Sequence, residues 1–215
     1  MELKLTKEKV TGILIPVFYT VGITGFLMPF SFPVFIQLIP LVLVFSFILL
    51  AVFHHRQESN STAVFVFTGI FFSGLLIEII GVNTGIVFGE YSYGENLGFK
   101  LFNTPLIIGL NWLILVYTTS SIFERLSIPS TYKILMASGC MLIYDIVLEQ
   151  VAPTLGMWSW EGIKVPLKNY IAWFVIAVIF QLIFKVAGVK TENTISMNLF
   201  ICQFLFFLIL SVYLH

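Results

Sequence analysis

Of the 215 residues in this chain, 59% are hydrophobic and only 10% charged. A soluble domain carries about 25% charged residues, so a water-facing surface cannot be built from this inventory and the solvent for most of the chain is lipid. Lys plus Arg and Asp plus Glu number 11 each, and without a basic stripe there is no footprint for nucleic acid.

Seven apolar runs long enough to cross a bilayer, which takes about 20 residues each, follow one another along the chain. They lie at Val10–Phe30, Pro33–Phe53, Thr62–Gly81, Pro105–Phe123, Tyr132–Val151, Asn169–Ala187 and Ile195–Leu214. The expected fold class is therefore an all-α integral membrane protein of about seven transmembrane helices. Pro29-Phe30-Ser31-Phe32-Pro33 is expected to form a tight turn between the first two. The first run is too long for a signal-peptide core and no small-residue cleavage site follows it, so it is expected to stay as a helix. Lys4, Lys7, Lys9, Arg56, Arg125, Lys133, Lys185 and Lys190 fall on one side of this arrangement, and only Lys100, Lys164 and Lys168 on the other. The positive-inside rule then expects a cell-membrane protein with its amino terminus cytoplasmic and its carboxyl terminus extracytoplasmic. Cys140 and Cys202 lie inside apolar runs and read as packing residues, not as a disulfide or metal pair. His54 and His55 have no Cys or paired carboxylates nearby, so no metal site is expected there. The sequence contains no Gly-rich phosphate loop or dinucleotide fingerprint, and no nucleotide cofactor is expected.

Most acids fall in termini or loops, but Glu78, Asp145 and Glu149 fall inside runs three and five. A carboxyl at a helix centre costs about 2.5–3.5 kcal/mol on insertion scales, so such residues are rare unless they serve a function. Glu78 precedes Gly89 and Tyr91-Ser92-Tyr93, and Asp145 precedes Gly156 and Trp158-Ser159-Trp160 at the same spacings. Pro105-Leu106 then Trp112, and Pro166-Leu167 then Trp173, continue the match. These are read as an internal parallel repeat of helices 3–4 and 5–6, at about 62–123 and 132–187 within a single polytopic domain, 1–215. On that reading Glu78 and Asp145 are symmetry mates facing one cavity. Gly74, Glu78, Gly81 and Gly85 form one stripe, and Ser138, Asp145 and Glu149 another, as faces packed against other helices do. The long connections Val82–Thr104 and Ala152–Lys168 are expected to fold back over the carboxyls.

The run from Glu78 to Tyr93, the run Val165-Pro-Leu-Lys-Asn-Tyr-Ile-Ala-Trp173, and Gly156-Met-Trp-Ser-Trp160 between them resemble the carotenoid hydratase family, membrane proteins also called carotenoid biosynthesis proteins. The resemblance covers helices three to six, about half the chain; helices one, two and seven share only hydrophobicity with it. It implies addition of water to the terminal double bond of an acyclic ψ end, giving a tertiary alcohol without redox chemistry or a cofactor. The implied substrate is a carotenoid (lycopene, γ-carotene or a bacterioruberin precursor), met in membrane lipid and in the company of other carotenoid enzymes. The family pattern places an acid shortly before a proline and an aromatic pair, and either Asp145 or Glu149, both ahead of Pro153, can take that place.

The residues suit that chemistry. Hydration starts with proton transfer to the less substituted carbon, so the acid must be held protonated, as apolar surroundings favour. Asp145 is expected to be the acid, Glu78 or Glu149 the base, and Asn83 or Asn169 the group that places water. Tyr91, Tyr93, Trp158 and Trp160 would face the tertiary cation, and Trp112 and Trp173 are expected among the substrate-binding residues. A lycopene-cyclase-like enzyme starts with the same protonation, and a small proton-coupled transporter also places acids in the membrane. A retinal Schiff base is excluded, because Ile195–Leu214 contains no lysine. The basic-residue count yields a direct check. A reporter in the loop at Arg56 is expected in the cytoplasm and one after His215 outside, and reporters found on the same side would overturn the orientation.

Overall fold

In a computed structural model of the protein, residues 6–54, 60–162 and 164–214 are described; Glu2, Lys4, His55, Arg56, Glu58 and His215 lie outside the described residues. Seven helices, α1 (Lys7–Leu27), α2 (Phe32–Val52), α3 (Asn60–Thr84), α4 (Ile107–Glu124), α5 (Ser130–Glu149), α6 (Leu167–Val186) and α7 (Ser196–Tyr213), are all long and apolar enough to cross a membrane. Lipid offers no hydrogen-bond partners, so each crossing segment closes its own backbone ladder as a helix. This is a multi-pass membrane protein.

α4 is the centre of the bundle: 67% of its apolar window is buried, against 22–39% for the other six. Apolar residues on the remaining helices face outward, among them Phe65, Leu167 and Val212, as lipid-facing surface should. Tight spots are made by small residues. Gly74 lies so close to Trp112 that a Cβ there would sit 2.9 Å from the indole's own Cβ. Pro16 inside α1 has no N–H to give to the carbonyl of Gly12. Asn198 of α7 supplies the missing donor, its amide nitrogen 2.6 Å from that oxygen, and α1 packs along α7 accordingly. The expected turn between the first two helices is present, with the Ser31 hydroxyl donating to the carbonyl of Gly25 at 2.7 Å. Cys140 and Cys202 are free, half-buried thiols.

Four short strands interrupt the all-helical plan. β2 (Lys100–Leu101) and β3 (Thr104–Pro105) form a small hairpin whose turn residues Phe102 and Asn103 have positive φ. β1 (Tyr91–Tyr93) and β4 (Trp158–Trp160) pair antiparallel, with Tyr91 opposite Trp160, Ser92 opposite Ser159 and Tyr93 opposite Trp158. The two aromatic-Ser-aromatic triplets thus meet each other, centred on the serines. Period-two alternation sends all four aromatic rings to one face and both exposed serines to the other. Backbone bonds from Gly94 N to the carbonyl of Met157 (2.9 Å) and from Glu161 N to that of Glu90 (3.0 Å) extend the ribbon at each end. Three-residue strands carry too little pattern to be read alone, and this pair joins segments remote in sequence.

Gly94 and Gly156 make the approach possible. A Cβ on Gly94 would collide with the backbone carbonyl of Gly156, which cannot move aside, and Gly156 itself has φ +59°. Gly94→Ala is expected to lower the detergent melting temperature and yield markedly. Gly139→Ala is the contrast: a Cβ there meets nothing within 4 Å, and Ala gains about 1 kcal/mol over Gly in a helix. Equal melting temperatures in the two variants would show that the ribbon does not hold the fold.

Candidate active site

The inner face of the β1–β4 ribbon lies on three buried carboxyls. Glu78, in α3, is 3% exposed; Asp145 and Glu149, one turn apart on α5, are 0% and 6% exposed. Glu78 accepts from the hydroxyls of Tyr91 and Tyr93 on one oxygen (2.7 Å each) and from the Trp112 indole N–H on the other (3.0 Å). Glu149 accepts from the indoles of Trp158 (3.1 Å) and Trp160 (2.7 Å) on one oxygen, and from the Asn169 amide on the other at 3.4 Å. Each triplet therefore turns both of its aromatic heads onto one glutamate, through residues i and i+2 of a single strand. Burial, then the neighbouring Glu78, push the Tyr91 and Tyr93 hydroxyls up from their ordinary range, so both remain protonated donors.

Asp145 is treated differently. Its Oδ2 accepts from Asn169 Nδ2 at 3.0 Å, while its Oδ1 is buried with no partner among the described residues. Asn169 stands in the first turn of α6, where the unpaired N–H groups of a helix start favour nearby negative charge. Glu78, Tyr91, Tyr93, Asp145, Glu149, Trp158, Trp160, Asn169 and Trp173 all line one cavity of about 20 Å³, together with Phe88, Ile108 and Asn111. A water molecule needs roughly 10–15 Å³ of such room, plus two to four polar partners. Trp112 backs the cavity, stacked on Trp173 with ring centroids 4.0 Å apart.

Two expectations need correcting. Asn83 is not at the acids: its amide donates to the carbonyls of Ile79 (2.8 Å) and Phe102 (2.9 Å) and accepts from Asn103. It braces the β2–β3 turn, which turns the chain from the first long connection into α4. The shared offset pairs Glu78 with Asp145, whereas the hydrogen bonds pair it with Glu149. Equal residue counts are unequal distances here: α3 continues six residues past Glu78 to Thr84, while α5 ends at Glu149, four past Asp145. The aromatics, expected to offer ring faces to a cation, also engage the glutamates through their polar heads. Asn111 was missed; within an apolar run its amide looks like an ordinary helix-packing contact. Among the described residues, no group of three or more His, Cys, Asp or Glu is placed to hold a metal ion.

Fold and site together define a seven-helix membrane protein with a water-sized, carboxyl-lined chamber under an aromatic ribbon. Residues 38–215 match the family of carotenoid biosynthesis proteins, and the chain belongs to that family. The matched span runs beyond helices three to six, taking in most of α2 and all of α7. The chain is also similar to bisanhydrobacterioruberin hydratase of Haloarcula japonica, 28% identical over 131 residues, covering 53% of this chain and 43% of that protein. No solved structure matches it.

The hydrogen bonds predict separable roles. A buried hydrogen bond contributes about 0.5–1.5 kcal/mol, so Tyr93→Phe and Trp160→Phe are expected to lower both melting temperature and activity. Asn83→Ala is expected to lower stability but to leave the specific activity of folded protein near the parent's. A selective loss of activity in Asn83→Ala would return that residue to the site.

Proposed function

We propose that this protein is a carotenoid hydratase, adding water across the terminal double bond of an acyclic ψ end to give a tertiary alcohol. The observation that carries this reading is the asymmetry of the three acids. Glu78 and Glu149 each accept three hydrogen bonds from neutral donors, which suits ionised, acceptor-only carboxylates. Asp145 keeps one oxygen without a partner among the described residues, and its side chain lines a chamber with room for one water. Two carboxyls one turn apart in a water-poor site repel if both are charged, so the Asp145–Glu149 pair is best held with a single proton.

In the proposed cycle Asp145 Oδ1 gives its proton to the less substituted carbon of the terminal alkene, leaving a tertiary cation. The rings of Tyr91, Tyr93, Trp158, Trp160 and Trp173 surround the chamber, and a desolvated cation over such a face gains about 2 kcal/mol or more. Water attacks the cation and loses a proton to Glu149, with Glu78 as the second carboxylate within the chamber. The proton then returns from Glu149 to Asp145, one helical turn away. Atoms balance with water alone, and no redox partner enters. The two halves, α3–α4 and α5–α6, are proposed to be repeat copies, with the ribbon centre at Ser92 and Ser159 on their shared axis. The distribution of basic residues supports an extracytoplasmic position for the acid-bearing end.

Incubation with lycopene or γ-carotene in isotopically labelled water, without dioxygen, is expected to give labelled alcohol. Asp145→Asn should lower turnover by at least about 10²-fold, the low end for general acid catalysis, while still inserting and folding. Unlabelled product, a requirement for dioxygen, a cyclised product, or a folded Asp145→Asn protein that still hydrates would each overturn the assignment.

A further inference from the structure

A larger cavity of about 240 Å³ adjoins the carboxyl chamber, walled by α1, α2 and α7 and floored by α4 and α5. Its lining is almost wholly apolar. At its mouth Phe18, Val21 and Leu38 are exposed, and deeper in Leu43, Leu148 and Met157 are buried. The two cavities share three lining residues, Ile108, Asn111 and Trp158. An apolar passage therefore runs from the lipid-facing cleft beside α1 and α2 to the edge of the acids.

Asn111 stands at that junction. It is 7% exposed and touches both cavities. Among the described residues no hydrogen bond engages its side-chain amide. Of the other polar side chains on the passage wall, Tyr19 bonds Ser46 at 3.3 Å and Trp158 bonds Glu149 at 3.1 Å, while Tyr144 and Gln203 lie beside each other. That amide is not one of the polar atoms sealed off among protein groups; it stands open to the cavity space, where it can bond a guest molecule. The unsatisfied group lies where the apolar passage meets the bare Asp145 chamber, which is where a reacting water has to be held.

We propose that the α1–α2–α7 passage takes up a linear isoprenoid hydrocarbon end first, and that Asn111 holds at its inner end the water that adds to the terminal double bond. This rests on the hydratase reading and extends it to the route of the substrate and the choice of product. The passage is open to lipid, where a water-insoluble polyene resides, and its lining is almost wholly apolar up to the junction. It is too small for a whole long polyene, so the remainder of the chain lies among lipid outside the mouth. Once Asp145 has protonated the alkene, the cation has two exits. Attack by the Asn111-held water gives the alcohol. Loss of a proton from a neighbouring carbon to a carboxylate gives an alkene again, either the starting one or its double-bond isomer.

The test uses the full chain in lipid vesicles with two substrates, lycopene and a short hydrocarbon carrying the same ψ end, in deuterated water. All four tryptophans, Trp112, Trp158, Trp160 and Trp173, sit at the chamber, so quenching of their fluorescence by the polyene reports entry without catalysis. Val42→Phe narrows the passage. It should weaken quenching and lower lycopene turnover by about tenfold or more, and slow the short substrate less, because no long chain has to remain in the narrowed passage while its end reacts. Val44→Phe, on the exposed side of α2, should behave as the parent. Asn111→Leu should keep the quenching and lose alcohol by about tenfold or more, yet still place deuterium in recovered alkene, because protonation persists without water capture. A purely structural role for Asn111 would lower alcohol and deuterium uptake together, and that result overturns its assignment, as does alcohol formed at the parental rate. Unchanged lycopene handling by Val42→Phe overturns the passage. If the parent hydrates neither substrate, the hydratase reading falls and the Asn111 assignment with it. Polyene quenching that Val42→Phe weakens would then still support the passage, and quenching that it leaves unchanged would overturn that too.

Discussion

Two glutamates buried at one end of a lipid-solvated bundle, each held by paired hydrogen bonds from a single strand, are the constraint on which the rest of this structure depends. An ionised carboxyl without partners in such surroundings is unfavourable by several kcal/mol. Glu78 and Glu149 meet that penalty with three donors each. Four of the six donors stand on β1 and β4, so the acids need the ribbon. The ribbon in turn needs Gly94 and Gly156 to pass within backbone contact. The long connections are thus walls of the chamber, and they are tied to each other by Asn96 to the carbonyl of Leu155 (2.9 Å) and Lys168 to that of Gly85 (3.1 Å).

The same bonds explain how three acids in one small space differ in surroundings. Residues that lie a turn apart on α5 are separated chemically by what reaches them: two indoles and an amide for Glu149, a single amide for Asp145. Asn169 donates to both, at 3.0 Å to Asp145 and 3.4 Å to Glu149. A preorganised arrangement of this kind would need little rearrangement as charge moves in the proposed reaction. The buried α4 serves as its rigid backing, supplying Trp112 to Glu78 and Asn111 to the chamber edge.

The transmembrane frame was legible in the sequence because lipid solvation leaves the chain few choices. An apolar run of about 20 residues must be a helix, and each of the seven expected runs matches an observed helix within a few residues. Glu78, Asp145 and Glu149 were legible as well, since intramembrane acids are too unfavourable to pass unnoticed, and the two triplets marked which loops lie over them. What those cues could not carry is distance. Residue counting paired Glu78 with Asp145, but helix rises 1.5 Å per residue and loop does not, so the donors on β4 reach Glu149 instead.

Other features were decided by tertiary structure alone. Asn83 and Asn111 are chemically the same residue in similarly apolar surroundings, and nothing local tells them apart. One is consumed by the β2–β3 turn, with partners at 2.8 and 2.9 Å. The other has no hydrogen-bond partner for its amide among the described residues and stands between two cavities. The passage itself is shaped by five helices that meet only on folding, and α1, α2 and α7 read in sequence as nothing more than hydrophobic. Composition determined that this chain lives in lipid as seven helices with acids inside. Packing decided which acid was left a bare oxygen and which asparagine a free amide, because hydrogen-bond satisfaction depends on atoms brought within 3 Å by separate segments.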